Sequence, residues 1–329
     1  MLTYMPSFAT GFKDRFTSPQ VNGSDAIMAD SIPFDDRDGH IWLDGKLVPW
    51  RAANLHVLSH GLHYASCVFE GERSYAGAIF KLHEHTLRLF KSAELMGFKI
   101  PFTPAEIDAA CIATCKANGI VDGYVRPVAW RGSEMMGVAA QSARIRVAVA
   151  TWPWPSYFAP ETLMKGIKLK TSPWLRPDPR TAPVHAKAAG LYMICTLSKH
   201  AAEQAGFQDA LMLDWRGRVA EATGANIFLC FNDGKLHTPT PDCFLDGITR
   251  RTVIELARAR GIEVIERAIL PEELGRASEV FITGTAAEVT PVGGIDDHTY
   301  TPGTLTHTLM KAYEQAVGKR TQPAGASAA

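Results

Sequence analysis

The chain has 329 residues, about twice a usual domain length, so two domains sharing a cleft are expected. Hydrophobic residues make up 46% and charged residues 21%, the balance of a soluble globular protein, which excludes a largely disordered chain. Basic and acidic residues both number 34, so no net charge points to nucleic acid or an anionic membrane, and small molecules are the expected partners.

Residues 1–33 show no period and are read as an N-terminal extension. They lack a basic cluster leading into an apolar core, and no apolar run elsewhere reaches membrane-spanning length, so a cytoplasmic location is expected. Residues 34–151 read as a small α/β domain. It opens on a hairpin, Ile41 to Leu43 and Leu47 to Pro49 around Asp44-Gly45, and a second hairpin joins Glu72 to Tyr75 with Ala78 to Phe80. His83 to Met96 places Leu87, Phe90, Leu95 and Met96 at helical intervals, and that helix carries Arg88. Thr103-Pro104-Ala105-Glu106 has the capping-box pattern for a helix that Gly119 closes, and Tyr124 to Trp130 and Arg144 to Trp152 read as strands.

Two prolines and several rings in Trp152-Pro153-Trp154-Pro155-Ser156-Tyr157 mark residues 152–163 as an interdomain loop. Residues 164–317 then alternate strands and helices. Strands are expected at Ile167 to Lys170, Ala210 to Leu213, Ile227 to Phe231 and Val280 to Ile282. Helices are expected at Leu191 to Ala205, Ile248 to Arg260 and Gly303 to Ala316. Residues 318–329, rich in Ala, Gly and Ser, read as a flexible tail. The six cysteines, Cys67, Cys111, Cys115, Cys195, Cys230 and Cys243, form no paired grid and several lie in apolar runs, so they read as reduced core residues rather than metal ligands.

Chemistry is expected where polar groups interrupt small apolar stretches. Lys187 lies among Val184, Ala186, Ala188 and Ala189, where poor solvation would disfavour its ammonium and expose a nucleophilic amine fit for Schiff-base chemistry. Most lysines beside small residues are merely solvated, so this pattern is weak by itself. Glu221 interrupts an apolar segment before a core strand; it is either a solvated strand end or a buried carboxylate that needs a cation or donor, such as a protonated ring nitrogen. Gly247-Ile248-Thr249 opens a helix whose free N–H groups favour a phosphate, and Thr283-Gly284-Thr285-Ala286-Ala287 allows close backbone approach to a ligand after a strand. Most such Gly-Thr turns are only turns, but here there are two.

From about Asp38 to Ala316 the chain resembles the branched-chain amino acid aminotransferases, members of the fold-type IV pyridoxal 5'-phosphate (PLP) enzymes. The resemblance rests on Ser59-His60-Gly61-Leu62-His63-Tyr64, Val68-Phe69-Glu70-Gly71, Tyr124-Val125-Arg126-Pro127, Met136-Gly137-Val138, Ala186-Lys187-Ala188, Glu221, Gly247-Ile248-Thr249-Arg250 and Gly284-Thr285-Ala286-Ala287-Glu288-Val289-Thr290-Pro291. It implies an α/β fold of the α+β type, two domains with the active site in the cleft between them, and a homodimer or higher homo-oligomer. It further implies that Lys187 binds PLP covalently and moves a proton between substrate and cofactor. Glu221 would face the pyridine nitrogen, and Tyr192 the phenolic oxygen. Arg88, Ile248, Thr249 and Thr285 would bind the phosphate, with Gly224, Leu245 and Gly284 completing the cofactor site and no metal required. The substrate pocket would be lined by Phe69, Tyr124, Arg126, Trp154, Tyr157, Thr285 and Ala286, with Tyr64 and Val138 from a neighbouring subunit. Arg73 and Arg126 are the candidates for a second carboxylate.

The chain departs from the family pattern at Ala222-Thr223-Gly224-Ala225-Asn226, where many members carry an acid at the position of Ala225, and at Glu134-Met135 before Met136. The implied reaction moves an amino group from a branched-chain L-amino acid to 2-oxoglutarate. The alternatives within the superfamily are a D-amino acid aminotransferase, an (R)-amine transaminase and an aminodeoxychorismate lyase, and a PLP-binding protein without turnover lies outside it.

Overall fold

The computed structural model describes residues 32–154 and 164–318. The readings made for the N-terminal extension, for the tail beyond residue 318 and for Tyr157 lie outside the described residues.

Seven strands build the first sheet: β1 (His40–Leu43), β2 (Lys46–Pro49), β3 (Cys67–Phe69), β4 (Glu72–Tyr75), β5 (Ala78–Ile79), β6 (Gly123–Arg131) and β7 (Ile145–Pro153). They run in the order β2-β1-β7-β6-β4-β5, with β3 paired to β6, and every pairing is antiparallel. Both expected hairpins form, and Asp44-Gly45 and Ala76-Gly77 make their turns with positive φ. β7 continues through Trp152 to Pro153, one step into the expected loop, because a proline at a strand end forfeits little of the ladder.

A one-turn helix α1 (His60–His63) precedes β3, and α2 (Leu82–Leu95) and α3 (Pro104–Ala117) cover one face of this sheet. Thr103 and Glu106 cap α3 reciprocally, as the sequence pattern indicates, and Cys111 and Cys115 face the core. Leu89, Ala93, Ile107, Val125 and Val147 are fully or almost fully buried between helices and sheet.

The second sheet has nine strands: β8 (Ile167–Thr171), β9 (Asp209–Leu213), β10 (Val219–Ala222), β11 (Asn226–Cys230), β12 (Leu236–Pro239), β13 (Val264–Arg267), β14 (Glu279–Gly284), β15 (Glu288–Ile295) and β16 (His298–Thr299). Their order is β10-β9-β8-β15-β14-β11-β12-β13, and a further pairing of Glu221 with Asn226 joins β10 to β11, closing six strands into a ring. The apolar interior of that ring holds Ile167, Leu169, Leu211, Ile227, Leu229, Ile282 and Val292. Helix α4 (Tyr192–Gln204) packs on β9, while α5 (Ile248–Arg258) and α6 (Thr304–Ala316) pack on β14 and β15. No helix among the described residues is long and apolar enough to cross a membrane.

Candidate active site

One cleft collects the reactive groups. It is lined by Arg88 from the first sheet's helix layer, by Lys187 from the segment between β8 and α4, by Tyr192 at the start of α4, by Ile248 and Thr249 at the start of α5, and by Glu221, Gly224, Leu245, Gly284 and Thr285 from the ring and its loops. The Lys187 segment is held from both sides of its backbone: Phe69 N–H donates to the Lys187 carbonyl at 3.1 Å, and Lys187 N–H donates to Ser92 Oγ at 3.0 Å. Its Nζ donates to Tyr192 Oη at 2.8 Å and lies 5.1 Å from the Phe69 ring centre. Burial, reinforced by the Arg88 charge, lowers the Lys187 amine from its ordinary value, the direction a nucleophilic amine requires.

Glu221 faces the opposite end. Its Oε1 lies 3.3 Å from Arg176 Nε, and Asn226 Nδ2 donates to Oε2 at 3.2 Å. Burial pushes the carboxyl up to about 7, with Arg176 and Lys187 pulling the other way. Asn226 is itself placed by donating to the Leu245 carbonyl at 3.0 Å and accepting from Gly247 N–H at 3.2 Å, a fit that requires glycine because a Cβ at Gly247 would overlap the Asn226 side chain.

Gly247 starts α5 without a side-chain cap, leaving the first N–H groups of that helix for a ligand beside the Thr249 hydroxyl. Arg88 lines the same region. Its guanidinium is oriented by Glu70, which also meets His85, while Ser92 one turn on accepts from Lys187 N–H. Thr283 Oγ1 is buried in the cleft wall with no hydrogen-bond partner among the described residues.

This donor set fits PLP: an amine of depressed basicity between a carboxylate with a raised pKa and an anion site built of helix N–H groups, a hydroxyl and a guanidinium. The phenolic side would be served by Tyr192, whose hydroxyl burial keeps protonated. Ala225, at the position where the family pattern often has an acid, packs against Gly284 instead.

Beyond Phe69 lies a second group of side chains. Arg126 Cζ stands 4.7 Å from the Phe69 ring, and Arg126 Nη2 donates to Tyr124 Oη at 3.2 Å, while its buried Nε has no hydrogen-bond partner among the described residues. Tyr124 stacks on Trp152 with ring centres 5.2 Å apart and meets Trp154 at 5.2 Å. Gly71 makes room for this cluster, since a Cβ there would overlap the Tyr124 hydroxyl.

One expected substrate residue sits differently. Arg73 is not turned to the pocket as an open cation: it pairs with Glu288 at 3.1 Å and donates to the Trp154 carbonyl at 3.3 Å, because a buried guanidinium takes whatever acceptors are fixed around it. Tyr64, stacked on His60, and Val138 are exposed and do not line the cleft of their own chain. The turn after β14 brings Thr285 to the cleft edge, with Ala286 the residue after it.

Arg176 and Asn226 were not singled out as site residues from the sequence, and Thr283 entered only as the first residue of the Thr283-to-Ala287 loop. The signal for Arg176 is an arginine bounded by Pro173 and Pro177 eleven positions before Lys187, and Asn226 closes the glutamate motif five residues after Glu221. All six cysteines are free, five of them buried, as expected.

Residues 67–295 match the family model described as amino-transferase class IV. The chain is 42% identical over 294 residues to the branched-chain-amino-acid aminotransferase of Pseudomonas aeruginosa, covering 87% of this chain and 95% of that protein. A crystal structure of the branched-chain aminotransferase from Thermoproteus uzoniensis with norvaline superposes with a TM-score of 0.82 at 36% identity, covering 87% of this chain and 97% of that one. The branched-chain amino acid aminotransferase from Thermobaculum terrenum in its PLP form gives a TM-score of 0.79 at 32% identity over 86% of this chain and 95% of that chain.

Proposed function

The chain belongs to the class IV aminotransferases, and from that premise we propose that it transfers the amino group of leucine, isoleucine or valine to 2-oxoglutarate, with PLP as cofactor. The observation that carries the reading is the half-buried Lys187 amine, lowered in basicity and set between Glu221 and the Arg88 and α5 anion site.

When bound, PLP supplies an electron-withdrawing ring that makes the amino acid's Cα–H acidic. Lys187 then takes that proton and returns it on the other side of the exchange, a task suited to an amine whose basicity burial and the Arg88 charge have lowered. Glu221, with Asn226 holding one oxygen and Arg176 beside the other, keeps a proton at the pyridine nitrogen. Arg88, Ile248, Thr249 and Thr285 hold the phosphate, and Tyr192 orients the amine through its hydroxyl. Phe69, Tyr124 and Trp154 provide an apolar wall for a branched side chain, and Arg126 stands at its edge to meet the second carboxylate of glutamate.

The curated relatives favour this reading over the D-amino acid, amine and lyase alternatives. The division into a small unit at 34–151 and a PLP-binding unit at 164–317 belongs to the same proposal. So do a cytoplasmic location and a homodimer. A groove lined by Ile41, Leu43, Leu55, Leu62, Val128 and Trp130 opens on the outer face of the first sheet, and Arg126 and Ala189 line it too, which puts it against the segment bearing Lys187. A second copy on this face would cover those side chains and bring Tyr64 and Val138 toward a partner's site. Light scattering of the purified protein tests the dimer. A panel of L- and D-amino acids and amines, with 2-oxoglutarate and pyruvate as acceptors, tests the reaction: L-branched-chain donors should lead, and a D-amino acid or amine leading would overturn the assignment.

A further inference from the structure

Glu288 begins β15 at the base of the Thr285 turn with a φ of +54°, a left-handed conformation that a residue bearing a Cβ keeps only when its surroundings hold it. What holds it is a polar seam to the first sheet. Tyr75 Oη donates to Glu288 Oε1 at 2.8 Å, and Arg73 Nη1 lies 3.1 Å from the same oxygen. Arg73 Nη2 donates onward to the Trp154 carbonyl, and the Arg73 guanidinium rests over the Tyr75 ring. Tyr313 of α6 joins the seam, its hydroxyl within reach of both Tyr75 and Thr249. Arg73 and Tyr75 are 5% and 4% exposed, so their polar groups depend on these protein partners.

We infer that Glu288 is a positioning and specificity-determining residue: it fixes the Thr285-Ala286 turn against β4 and the Trp154 wall, and it neutralises Arg73 so that the pocket end stays receptive to an apolar side chain. The inference rests on the transaminase reading. Two consequences separate it from a merely structural role. Loss of the carboxylate frees a buried guanidinium beside the pocket, which penalises leucine and favours a substrate with a second carboxylate. Loss of Arg73 as well removes that cation and returns the preference toward leucine.

Glu288→Gly tests this without backbone strain, because glycine adopts the left-handed φ freely, and Glu288→Gln keeps the shape while losing the charge. In single-turnover conversion of the PLP form, both variants should need roughly tenfold more L-leucine for half-saturation, with the requirement for L-glutamate unchanged or lower. The equilibrium dissociation constant of 4-methylpentanoate, a leucine skeleton without the amine, should weaken by a similar factor of roughly ten. Glu288→Gly combined with Arg73→Met should move the leucine-to-glutamate ratio back toward the parent value. Variants that melt earlier but keep that ratio and the 4-methylpentanoate constant would overturn the inference. A wild-type protein that converts no amino acid would instead overturn the transaminase reading beneath it, an outcome read before any variant is made.

Discussion

The Arg88 guanidinium is bound along one edge by Glu70, Nε to Oε1 at 2.7 Å and Nη2 to Oε2 at 2.8 Å, and this fork sits at the bottom of the cleft with Glu70 wholly buried. The same carboxylate meets His85 Nδ1 at 2.7 Å, where burial keeps the imidazole neutral and donating. Lys187, Arg88 and Glu70 thus form a row in which the acid fixes the arginine and the like charge of the arginine depresses the amine.

Glu70→Gln removes half of that fork and leaves Arg88 without its charge partner, which for a buried pair costs about 3–5 kcal/mol. Burial alone would raise Glu70, but Arg88 and His85 outweigh it and hold the carboxyl well below the ordinary carboxylate range. Its stabilising contribution is therefore present above the unfolded value of 4.5 and is lost as pH falls toward the folded value. Urea unfolding should show Glu70→Gln less stable at pH 7, with the gap to the parent narrowing in acid; a gap independent of pH would contradict the assignment.

Glu72, two residues on, behaves oppositely. Neither of its oxygens has a hydrogen-bond partner among the described residues, and burial together with the charges of Glu70 and Asp108 raises it well above 4.5. The folded chain retains this proton where the unfolded chain has lost it, so Glu72 costs more stability as pH rises above 4.5. Glu72→Gln should consequently gain in melting temperature relative to the parent between pH 5 and pH 8, with the gain of the order of a few degrees. A constant difference across that range would show that Glu72 is ionised and paired.

Arg126 is the residue on which dual substrate use turns. An apolar pocket would have to desolvate the second carboxylate of glutamate, which costs several kcal/mol without a partner. Arg126→Ala should weaken conversion by L-glutamate roughly tenfold or more while changing L-leucine less. Equal losses in the two half-reactions would show that Arg126 holds the pocket together instead of reading the substrate.

How far the site was legible depends on whether its logic runs along the chain or across it. Lys187 and Glu221 stood out because each breaks a run of small apolar residues, and Gly247-Ile248-Thr249 because a helix start advertises its own free N–H groups. Arg176 did not, since its meaning comes from facing Glu221 across the cleft, 45 positions away in the numbering. The family resemblance made Arg73 a candidate for a second carboxylate but could not show that Glu288, 215 positions later, would pair with it. β15 was missed for a related reason. Pro291, Gly293 and Gly294 interrupt the β-branched pattern of a strand, yet Pro291 sits where the ladder to β8 has not begun, so its missing N–H is not needed there. The ring closure at Glu221 and Asn226 is likewise a long-range event with no local signature.

Glu221→Gln keeps the shape and the Asn226 contact but removes the charge that balances a pyridinium proton. PLP should remain bound while conversion by L-leucine slows by roughly two orders of magnitude or more, the scale of a lost general acid–base or charge-stabilising group. A rate equal to the parent would return Glu221 to a purely structural place beside Arg176.

The central claim is that Lys187 is the amine through which this cleft works, and single-turnover conversion of the cofactor by L-leucine in Lys187→Ala tests it most directly. A small side chain fits among Ala186, Ala188 and Ala189, so the variant should fold. The account predicts a rate lower by on the order of 10²–10⁴ or more with cofactor still held by the phosphate site; a rate near that of the parent would contradict it.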